Sequence, residues 1–433
     1  MDRMEIGAEM LLWAKDIFPY CRSITGNGTR NTLKYLKTIN SELETVKFKT
    51  GSKVFDWEIP QEWNIADGYL EHESGKRFAE FRNNNLHILN YAIPVDKIVE
   101  LEDLKNYIYT EPDQPDYVPY VTSYYAERWG FSMSHKEMSN LPKGKYRAFI
   151  DSTLEDGTLE LSHAVIEGRM PREIFFSSYV CHPSMANNEL SGPVLLSALM
   201  RYVKQQYPSP NFSYRFALLP ETIGSIAYLS KYLQTLKDRV LCGFNLTCVG
   251  DERAFSHVQS RFGNNLADEA LQAALRGRDN VKTYSYLERG SDEKNYCAPG
   301  IDLPVCTFCR SKFGEYPEYH TDADNFDLVT AKGLAGSFDV MRSIIDAFEL
   351  GAYPKYRVLG EPQLGKRGLY PTLSRKGSAA SAATRKNFLA YADGATSLFE
   401  ISKIIKEPLG FLLDEYKVLK NADLLESRHD NPE

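Results

Sequence analysis

The sequence predicts an α/β fold whose main sheet is largely parallel. Three apolar runs rich in β-branched and aromatic residues, 174–180, 214–219 and 241–249, are typical of buried strands. Stretches with helical periodicity, near 193–205 and 225–236, separate these strands. Because alternating strands and helices form right-handed crossovers, we expect the strands to lie parallel, with helices packed on the sheet.

Further helices are expected on either side of this alternating region. Four apolar residues near the N-terminus repeat at helical spacing: Ile6, Met10, Trp13 and Ile17. A second helical pattern covers 31–39, and two more follow the strands, at 266–276 and 331–350. Together these elements predict a three-layer domain with a mixed sheet, formed by residues 1–49 and 142–350.

Composition restricts the classes of protein that fit. The chain has 433 residues, too many for one hydrophobic core, so two or three domains are expected. A net charge of −7, from 51 Lys+Arg and 58 Asp+Glu, disfavours a nucleic-acid footprint along the whole chain. The N-terminus lacks the pattern of a secretory signal, and no apolar run is long enough to span a membrane. The 7 cysteines are scattered, as in reduced cytoplasmic proteins.

The segment 50–141 differs from its surroundings. It is rich in Tyr, Trp, Asn and Pro, and its apolar runs are short, so we predict an inserted, β-rich lid domain over the crevice. Its aromatic residues either form the core of this small domain or line a substrate groove. After the insert, Glu155-Asp156-Gly157-Thr158 has the Asp-Gly signature of a β-hairpin.

The last part of the chain, 351–433, is predicted to form a linker and a winged-helix domain. The stretch to Ser381 is rich in Gly, Pro and basic residues, and three short helical patterns follow, at 384–391, 396–405 and 408–420. These helices carry several acidic residues: Glu400, Glu407, Asp414 and Glu415. We therefore expect a packing or interaction role and no specific binding of nucleic acid.

One stretch, 177–192, combines a strand end with polar residues. His182 follows the predicted strand 174–180, and Ser191-Gly192 opens the next helix. Ligands of open α/β sheets bind beyond the carboxyl ends of the strands, so His182 is expected to face such a crevice.

This stretch resembles the first metal-binding motif of the zinc aminopeptidases, a His after a strand and then Asn-Asp-Asn-x-Ser-Gly. Tyr319-His320-Thr321-Asp322-Ala323-Asp324 is similar to their last motif. The whole chain resembles a bacterial and archaeal family of aminopeptidase-like proteins, with an inserted domain and a C-terminal winged helix, often encoded near polysaccharide-biosynthesis genes. The matching stretches are Asp56-Trp57-Glu58-Ile59-Pro60, Cys181-His182-Pro183-Ser184 and Pro220-Glu221-Thr222-Ile223-Gly224-Ser225.

The resemblance implies a zinc centre held by two histidines and several carboxylates. His182 and His320 fall on the two histidine positions. Asn188 occupies the position of the bridging Asp and is a substrate-binding candidate, because an amide carries no charge to share between two cations. Glu189, one residue later, is either a ligand or an acid that complements the helix dipole. The set favours one zinc ion, with a second bound weakly if at all.

Other acids complete the candidate set. Glu221 follows the strand 214–219 and is the best candidate for a catalytic carboxylate, as general base or as ligand. Asp251 follows the strand 241–249 and is a further candidate ligand. Asp292 and Glu293 either bind the ammonium group of a substrate or cap a turn.

These residues predict a cytoplasmic zinc-dependent hydrolase that cleaves an amide or peptide bond, with a link to polysaccharide biosynthesis implied by the resemblance. The alternative is a non-catalytic binding or regulatory protein on the same fold, since Asn188 and Thr247 replace acidic ligands. The expected partner is a peptide or an amide-bearing small molecule. No membrane contact is expected, and the sequence leaves open whether the chain forms a homo-oligomer.

Overall fold

The structure is a computed structural model that describes residues 3–369 and 378–429. Its helices are α1 Arg3–Ile17, α2 Asn27–Ile39, α3 Leu101–Leu104, α4 His135–Ser139, α5 Ser191–Gln206, α6 Ile223–Arg239, α7 Leu266–Leu275, α8 Glu293–Tyr296, α9 Ala331–Gly351, α10 Ser378–Tyr391, α11 Leu398–Ile405 and α12 Leu409–Asn421. Its strands are β1 Glu44–Lys49, β2 Lys53–Val54, β3 Trp57–Glu58, β4 Glu62–His72, β5 Arg77–Phe78, β6 Val95–Glu100, β7 Ile108–Tyr109, β8 Phe131–Ser132, β9 Lys145–Glu155, β10 Thr158–Ile166, β11 Glu173–Tyr179, β12 Ser213–Leu219, β13 Val240–Leu246, β14 Phe255–Val258, β15 Val281–Tyr284, β16 Val305–Cys309, β17 Lys355–Tyr356 and β18 Leu425–Glu426.

The main sheet has eight strands in the order β1-β10-β12-β11-β13-β16-β14-β15. Its centre, β12-β11-β13-β16, is parallel, whereas β1, β10 and β14 add antiparallel pairs. The predicted mixed, largely parallel sheet is therefore confirmed, and each predicted strand and helix of this domain is present within a few residues of its expected bounds.

Helices cover both faces of this sheet, which accounts for its continuous apolar strands. On one face, Phe176, Phe216 and Phe244 stack across three strands beneath α1, α5, α7 and α9. On the other face, Phe175 and its neighbours pack with α6 and α8. Every residue of β11 and β12 is buried, since a central strand between two helical layers has no solvent-facing side.

The inserted domain is built on a second sheet, of four strands in the order β5-β4-β9-β6. Its central strand β9 lies beyond residue 141, where we expected the insert to end. β9 pairs with β4 and β6, and β10 pairs with β1 and β12. The hairpin predicted at Glu155-Asp156-Gly157-Thr158 is therefore wrong: this turn is the corner at which the chain passes from the small sheet to the main one.

The insert leaves and re-enters the main domain at one point. Lys49 at the end of β1 is the register partner of Thr158 at the start of β10, and Thr50 N donates to Gly157 O at 3.1 Å. The two ends of segment 51–156 therefore meet across one antiparallel pair, as expected for a domain inserted into a hairpin.

The C-terminal domain consists of α10, α11, α12 and the two-stranded sheet of β17 and β18. The three predicted helices are confirmed, and α11 and α12 pack against α7 or α9 of the main domain. Part of the predicted linker, 370–377, lies outside the described residues. None of the described helices is long and apolar enough to cross a membrane.

Two deletions are expected to behave differently. Replacing 51–156 by an Asn-Gly turn should leave a cooperatively unfolding main domain, because Thr50 and Gly157 are already hydrogen-bonded neighbours. Its melting temperature should fall, since Tyr179 and Ile223 lose the apolar cover that the insert provides. Deleting only 50–141 should give aggregated protein, because β9 keeps neither of its partner strands.

Circular dichroism and size-exclusion chromatography of both variants check this prediction. Equal behaviour of the two deletions would contradict the domain boundary inferred from the strand pairing.

Candidate active site

Two candidate side chains leave the main sheet at neighbouring strand ends. His182 lies in the loop after β11, and Glu221 follows β12 after one residue. Because these strands are parallel neighbours, both side chains meet at one edge of the sheet, and His182 Nε2 lies 3.7 Å from Glu221 Oε2. Burial raises the pKa of Glu221, although the charge of a protonated His182 opposes that rise.

His320 reaches the same place from the loop between β16 and α9. Its ring centroid is 5.4 Å from that of His182, and its Nε2 lies 3.1 Å from Asn188 Oδ1. Its backbone φ is 56°, in the left-handed region that residues other than Gly adopt infrequently. Burial, with a smaller contribution from His182, lowers the pKa of His320 to about 3, so its ring is neutral. The structure therefore brings the two predicted histidines together with Glu221 and Asn188.

Glu189 has partners other than a metal ion. Its side chain is fully buried, and its Oε1 accepts a hydrogen bond from Arg22 Nε at 2.7 Å. Its Oε2 accepts the backbone N–H groups of Cys181 and His182 and lies 3.5 Å from His182 Nδ1. Glu189 therefore stands behind His182 and fixes its ring, as carboxylates do behind metal-ligating histidines. This contact leaves Nε2 as the nitrogen that faces Glu221.

Asp251, the other predicted ligand, is also occupied. It is fully buried, and its Oδ1 accepts hydrogen bonds from Arg253 N at 2.8 Å and Ser311 Oγ at 2.9 Å. Its Oδ2 accepts Ser311 N at 2.8 Å and Asn187 Nδ2 at 3.3 Å. Both oxygens of Asp251 thus accept two hydrogen bonds each, and the residue stabilises the loops beside the site. The sequence had predicted that Asp251 is a metal ligand.

A neutral hydrogen-bond network fills the positions where the resemblance places acidic ligands. The hydroxyl of Tyr179 lies 2.5 Å from both Asn188 Nδ2 and Thr247 Oγ1, and Asn188 Nδ2 also approaches Cys248 Sγ at 3.3 Å. All four side chains are buried, and burial raises the pKa of Tyr179 well above its ordinary value. None of these four side chains offers an anion; a carboxylate beside them, that of Asp324, accepts the backbone N–H of Asn188 at 2.9 Å.

The two acids expected at the substrate differ in what they can still bind. The carboxylate of Glu293 is buried and accepts a hydrogen bond from the hydroxyl of Thr307 at 2.8 Å. Asp292 Oδ1 accepts the backbone N–H of Thr222 at 2.8 Å, whereas Oδ2 is buried without a partner among the described residues. Burial and the charge of Glu221 raise the pKa of Asp292 to about 7. Of the two acids, only Asp292 therefore has a carboxylate oxygen without a partner among the described residues.

The loop that carries His320 also shapes the turn before α5. The turn Ala186–Leu190 is kinked at Asn188, whose φ of −104° and ψ of 65° are not helical. Asp324 accepts the backbone N–H groups of Asn187 at 2.5 Å and Asn188 at 2.9 Å. Burial raises the pKa of Asp324 to about 6, against the effect of these hydrogen bonds. The last motif thus positions Asn188 as well as His320.

The inserted domain supplies a wall of the site. The ring of Tyr120 meets His182 and His320 edge to face, at 5.3 and 5.2 Å between centroids, and its N–H donates to His320 O at 2.8 Å. Its hydroxyl lies 2.5 Å from that of Tyr124. Trp63 is instead part of the buried core. The expectation that aromatic residues of the insert form its core is therefore confirmed for Trp63, whereas a substrate groove stays a prediction.

Arg22, Tyr120 and Tyr179 were missed by the sequence analysis. Arg22 and Tyr120 lie far from the motifs along the chain, and no spacing rule connects them to His182. Tyr179 precedes His182 by three residues, and its position at a strand end was the one available signal.

Comparisons with known proteins identify relatives of both parts of the chain. Residues 12–351 match the sequence model of a family described as "Domain of unknown function (DUF4910)", and residues 352–427 match a winged helix-turn-helix model. A Clostridium acetobutylicum protein, named as a candidate polysaccharide biosynthesis protein with an aminopeptidase-like domain, is 39% identical over 368 residues, 84% of each chain.

Two solved structures are similar as well. The crystal structure of a candidate peptidase from Clostridium acetobutylicum has a TM-score of 0.89 and 35% identity, covering 98% of this chain and 97% of that one. A zinc aminopeptidase from Bacillus subtilis has a TM-score of 0.57 and 13% identity, covering 79% and 94%. The aminopeptidase-like fold, the relation to a polysaccharide-biosynthesis protein and the C-terminal winged helix are therefore established.

Glu189→Gln is expected to destabilise the protein whether or not metal is present. The change leaves Arg22 buried without a counter-charge, which costs about 3–5 kcal/mol of unfolding free energy. Urea unfolding with and without chelator measures this loss. Glu71→Gln, which breaks a surface pair with Arg77, is the matched control and should cost under about 1 kcal/mol. A Glu189→Gln protein with full stability but less bound metal would make Glu189 a ligand instead.

Proposed function

We propose that this chain, which belongs to the family described as "Domain of unknown function (DUF4910)", is a zinc-dependent hydrolase that cleaves an amide or peptide bond. One observation carries the proposal. His182, His320 and Glu221 come from three separate loops and converge beyond the carboxyl ends of the central strands, in an aminopeptidase-like fold.

The chemistry of these donors suits one zinc ion, although their ligand atoms do not all lie within 4.8 Å of one another, so zinc binding would have to bring them closer together. Zinc accepts imidazole nitrogens and carboxylate oxygens, and catalytic sites use three protein ligands with one open position. His182 Nε2, an imidazole nitrogen of His320 and a Glu221 oxygen would provide these ligands. The neutral state of His320 and the carboxylate behind His182 favour metal binding, because a ligating nitrogen must be unprotonated.

The same set does not fit a second zinc ion. Two zinc ions need carboxylates to offset their charge, and the neighbouring groups are the amide of Asn188, the hydroxyls of Tyr179 and Thr247, and the thiol of Cys248. Burial raises the pKa of this thiol to about 12, so it stays protonated. We therefore propose a single zinc ion.

The residues of the chain would divide the reaction between them. Zinc, when bound, polarises a substrate carbonyl and lowers the pKa of a coordinated water. If Glu221 is not a zinc ligand, its raised pKa suits a general base, which accepts a proton during the reaction. Tyr120 excludes bulk water from the histidines, and the free oxygen of Asp292 would meet a substrate ammonium or amide N–H.

The substrate we propose is a peptide or an amide-bearing small molecule, such as an N-acylated sugar. The relative named for polysaccharide biosynthesis supports the second class. The described cysteines are all unpaired, and six of the seven are buried, which supports a reducing compartment and thus the cytoplasm.

A second candidate function is binding without catalysis. It is favoured by the neutral Asn188, Tyr179 and Thr247 network, because loss of acidic ligands is expected when a peptidase fold loses its metal. The zinc content and turnover of the purified protein separate the two functions.

Glu221→Gln assigns the role of this residue. If Glu221 is the general base, the isosteric amide should keep zinc and lower turnover by roughly 10²- to 10⁴-fold. If it is a ligand, the variant should lose zinc. Elemental analysis and hydrolysis of amino-acid anilides measure both, and Glu318→Gln, a carboxylate paired with Arg253 on a nearby loop, is the control. Full zinc with unchanged activity would remove Glu221 from the site.

We further propose that the winged helix is a packing or interaction module that does not bind specific DNA. Two of its side chains that could reach phosphate are already paired: Arg385 with Glu415 at 2.6 Å and Lys417 with Asp414 at 3.8 Å. Selection from a random DNA library should therefore enrich no sequence. One sequence bound about 10³-fold more tightly than random DNA at the same salt would contradict this.

A further inference from the structure

A second pocket, unrelated to the candidate active site, opens at the far end of the main sheet. It lies between the C-terminal end of α7 and the edge strands β14 and β15, and has a volume of about 500 Å³. Six of its lining residues carry the argument: His257, Gln272, Arg276, Gly277, Arg278 and Thr283. A pocket of this size accommodates a small metabolite.

The charge lining this pocket is positive. Arg276 and Arg278 both line it, and none of its described lining residues is acidic. Arg276 Nε is buried and has no hydrogen-bond partner among the described residues. Arg278 Nε donates only to the carbonyl of Ala274, at 3.1 Å, and its guanidinium stacks on Phe255.

Burial lowers the pKa of Arg278. Asp339 acts on Arg278 at longer range, but it already pairs with Arg3 at 2.6 Å and Arg342 at 3.3 Å. Two arginines thus face one pocket without a carboxylate of their own, an arrangement that desolvates positive charge and favours an anionic ligand.

His257 adds a buried polar atom to the same pocket. Its Nε2 lies 2.8 Å from Asp268 Oδ1, while its Nδ1 is buried without a partner among the described residues. Its register neighbour on β15 is Thr283, another lining residue, whose side chain lies on the same face of the sheet. The hydroxyl of Thr283 can donate to an oxyanion, alongside the two arginines, and His257 Nδ1 is a further polar atom at the same pocket.

A metal ion suits this place less well, although His257, Asp268 and Cys306 lie close together. Asp268 already accepts hydrogen bonds from His257, from the hydroxyl and N–H of Ser260, and from Asn265 N. Burial raises the pKa of Cys306 well above its ordinary value, so its thiol stays protonated. The free Nε of Arg276 is a hydrogen-bond donor, which binds anions rather than cations.

We propose that this pocket binds an anionic small molecule bearing a phosphate or diphosphate group, held by Arg276, Arg278 and Thr283. Arginine side chains recognise the oxygens of such groups through paired N–H donors, which a surface of scattered lysines cannot match.

The pocket also lies at the contact with the winged-helix domain. Gly277 at its rim leaves no room for a side chain, because a Cβ there would come within 2.9 Å of Pro408 Cγ. Pro408 immediately precedes α12, and α7 packs against both α11 and α12. A ligand that orders the turn 276–278 therefore changes the support of the winged helix, and binding should also raise the melting temperature of the full chain.

Isothermal titration calorimetry of the full-length protein at low salt tests the proposal, with inorganic phosphate, pyrophosphate and ADP as separate probes. We expect saturable one-site binding of at least one probe, and the tightest probe tells a phosphate site from a diphosphate or nucleotide site. Arg276→Gln should weaken that binding about tenfold or more, since it removes a charged hydrogen-bond donor. Arg169→Gln, an exposed arginine away from the pocket, has the same charge change and should leave binding unchanged.

Thr283→Val provides a second variant should Arg276→Gln lower the melting temperature, because this exposed position tolerates a near-isosteric change. Thr283→Val should weaken the binding of the same probe without altering the fold. No saturable binding of any probe, or binding that Arg276→Gln and Thr283→Val leave as it is in the wild type, would overturn the proposal. Neither result depends on zinc or on turnover at the candidate active site.

Discussion

The buried ion pair of Arg22 and Glu189 is the interaction on which the arrangement of this molecule depends. Arg22 Nε donates both to Glu189 and, at 2.9 Å, to the carbonyl of His182, and its Nη1 donates to Ile17 O at the end of α1. The carbonyl of Arg22 accepts Asn90 Nδ2 of the inserted domain at 3.0 Å. Arg22 thus connects the N-terminal helix, the insert and the loop that carries His182. Removing either partner of such a buried ion pair strongly destabilises a protein.

The acidic residues around the candidate site mainly position its loops, so few carboxylates face the two histidines. Glu189 orients His182 from behind, Asp324 holds the turn that carries Asn188, and Asp251 braces the neighbouring loops. Three carboxylates near the site therefore accept hydrogen bonds that position its loops. Glu221 lies beside His182, 3.7 Å from its Nε2. This use of the acids supports the proposal of a single zinc ion, because each further cation needs anions close to it.

The sequence predicted the fold well because local patterns encode it. The period and composition of 174–180, 214–219 and 241–249 indicate buried strands directly, and the motifs around His182, Glu221 and His320 are local too. The roles of Glu189 and Asp251 were not predictable in this way. Their hydrogen-bond partners, such as Arg22 and Ser311, are distant in the chain. The neighbouring sequence therefore does not tell a metal ligand from a carboxylate that stabilises loops. The corner at Asp156-Gly157 was missed for the same reason, since strand pairing is decided by tertiary contacts.

The central claim is that one zinc ion binds between His182, His320 and Glu221. Anomalous diffraction at the zinc absorption edge, from crystals grown with zinc, tests it most directly. We expect one strong peak within bonding distance, roughly 2.0–2.2 Å, of one nitrogen from each histidine. No peak there, two peaks, or a peak at the carboxylate of Glu189 would contradict the account.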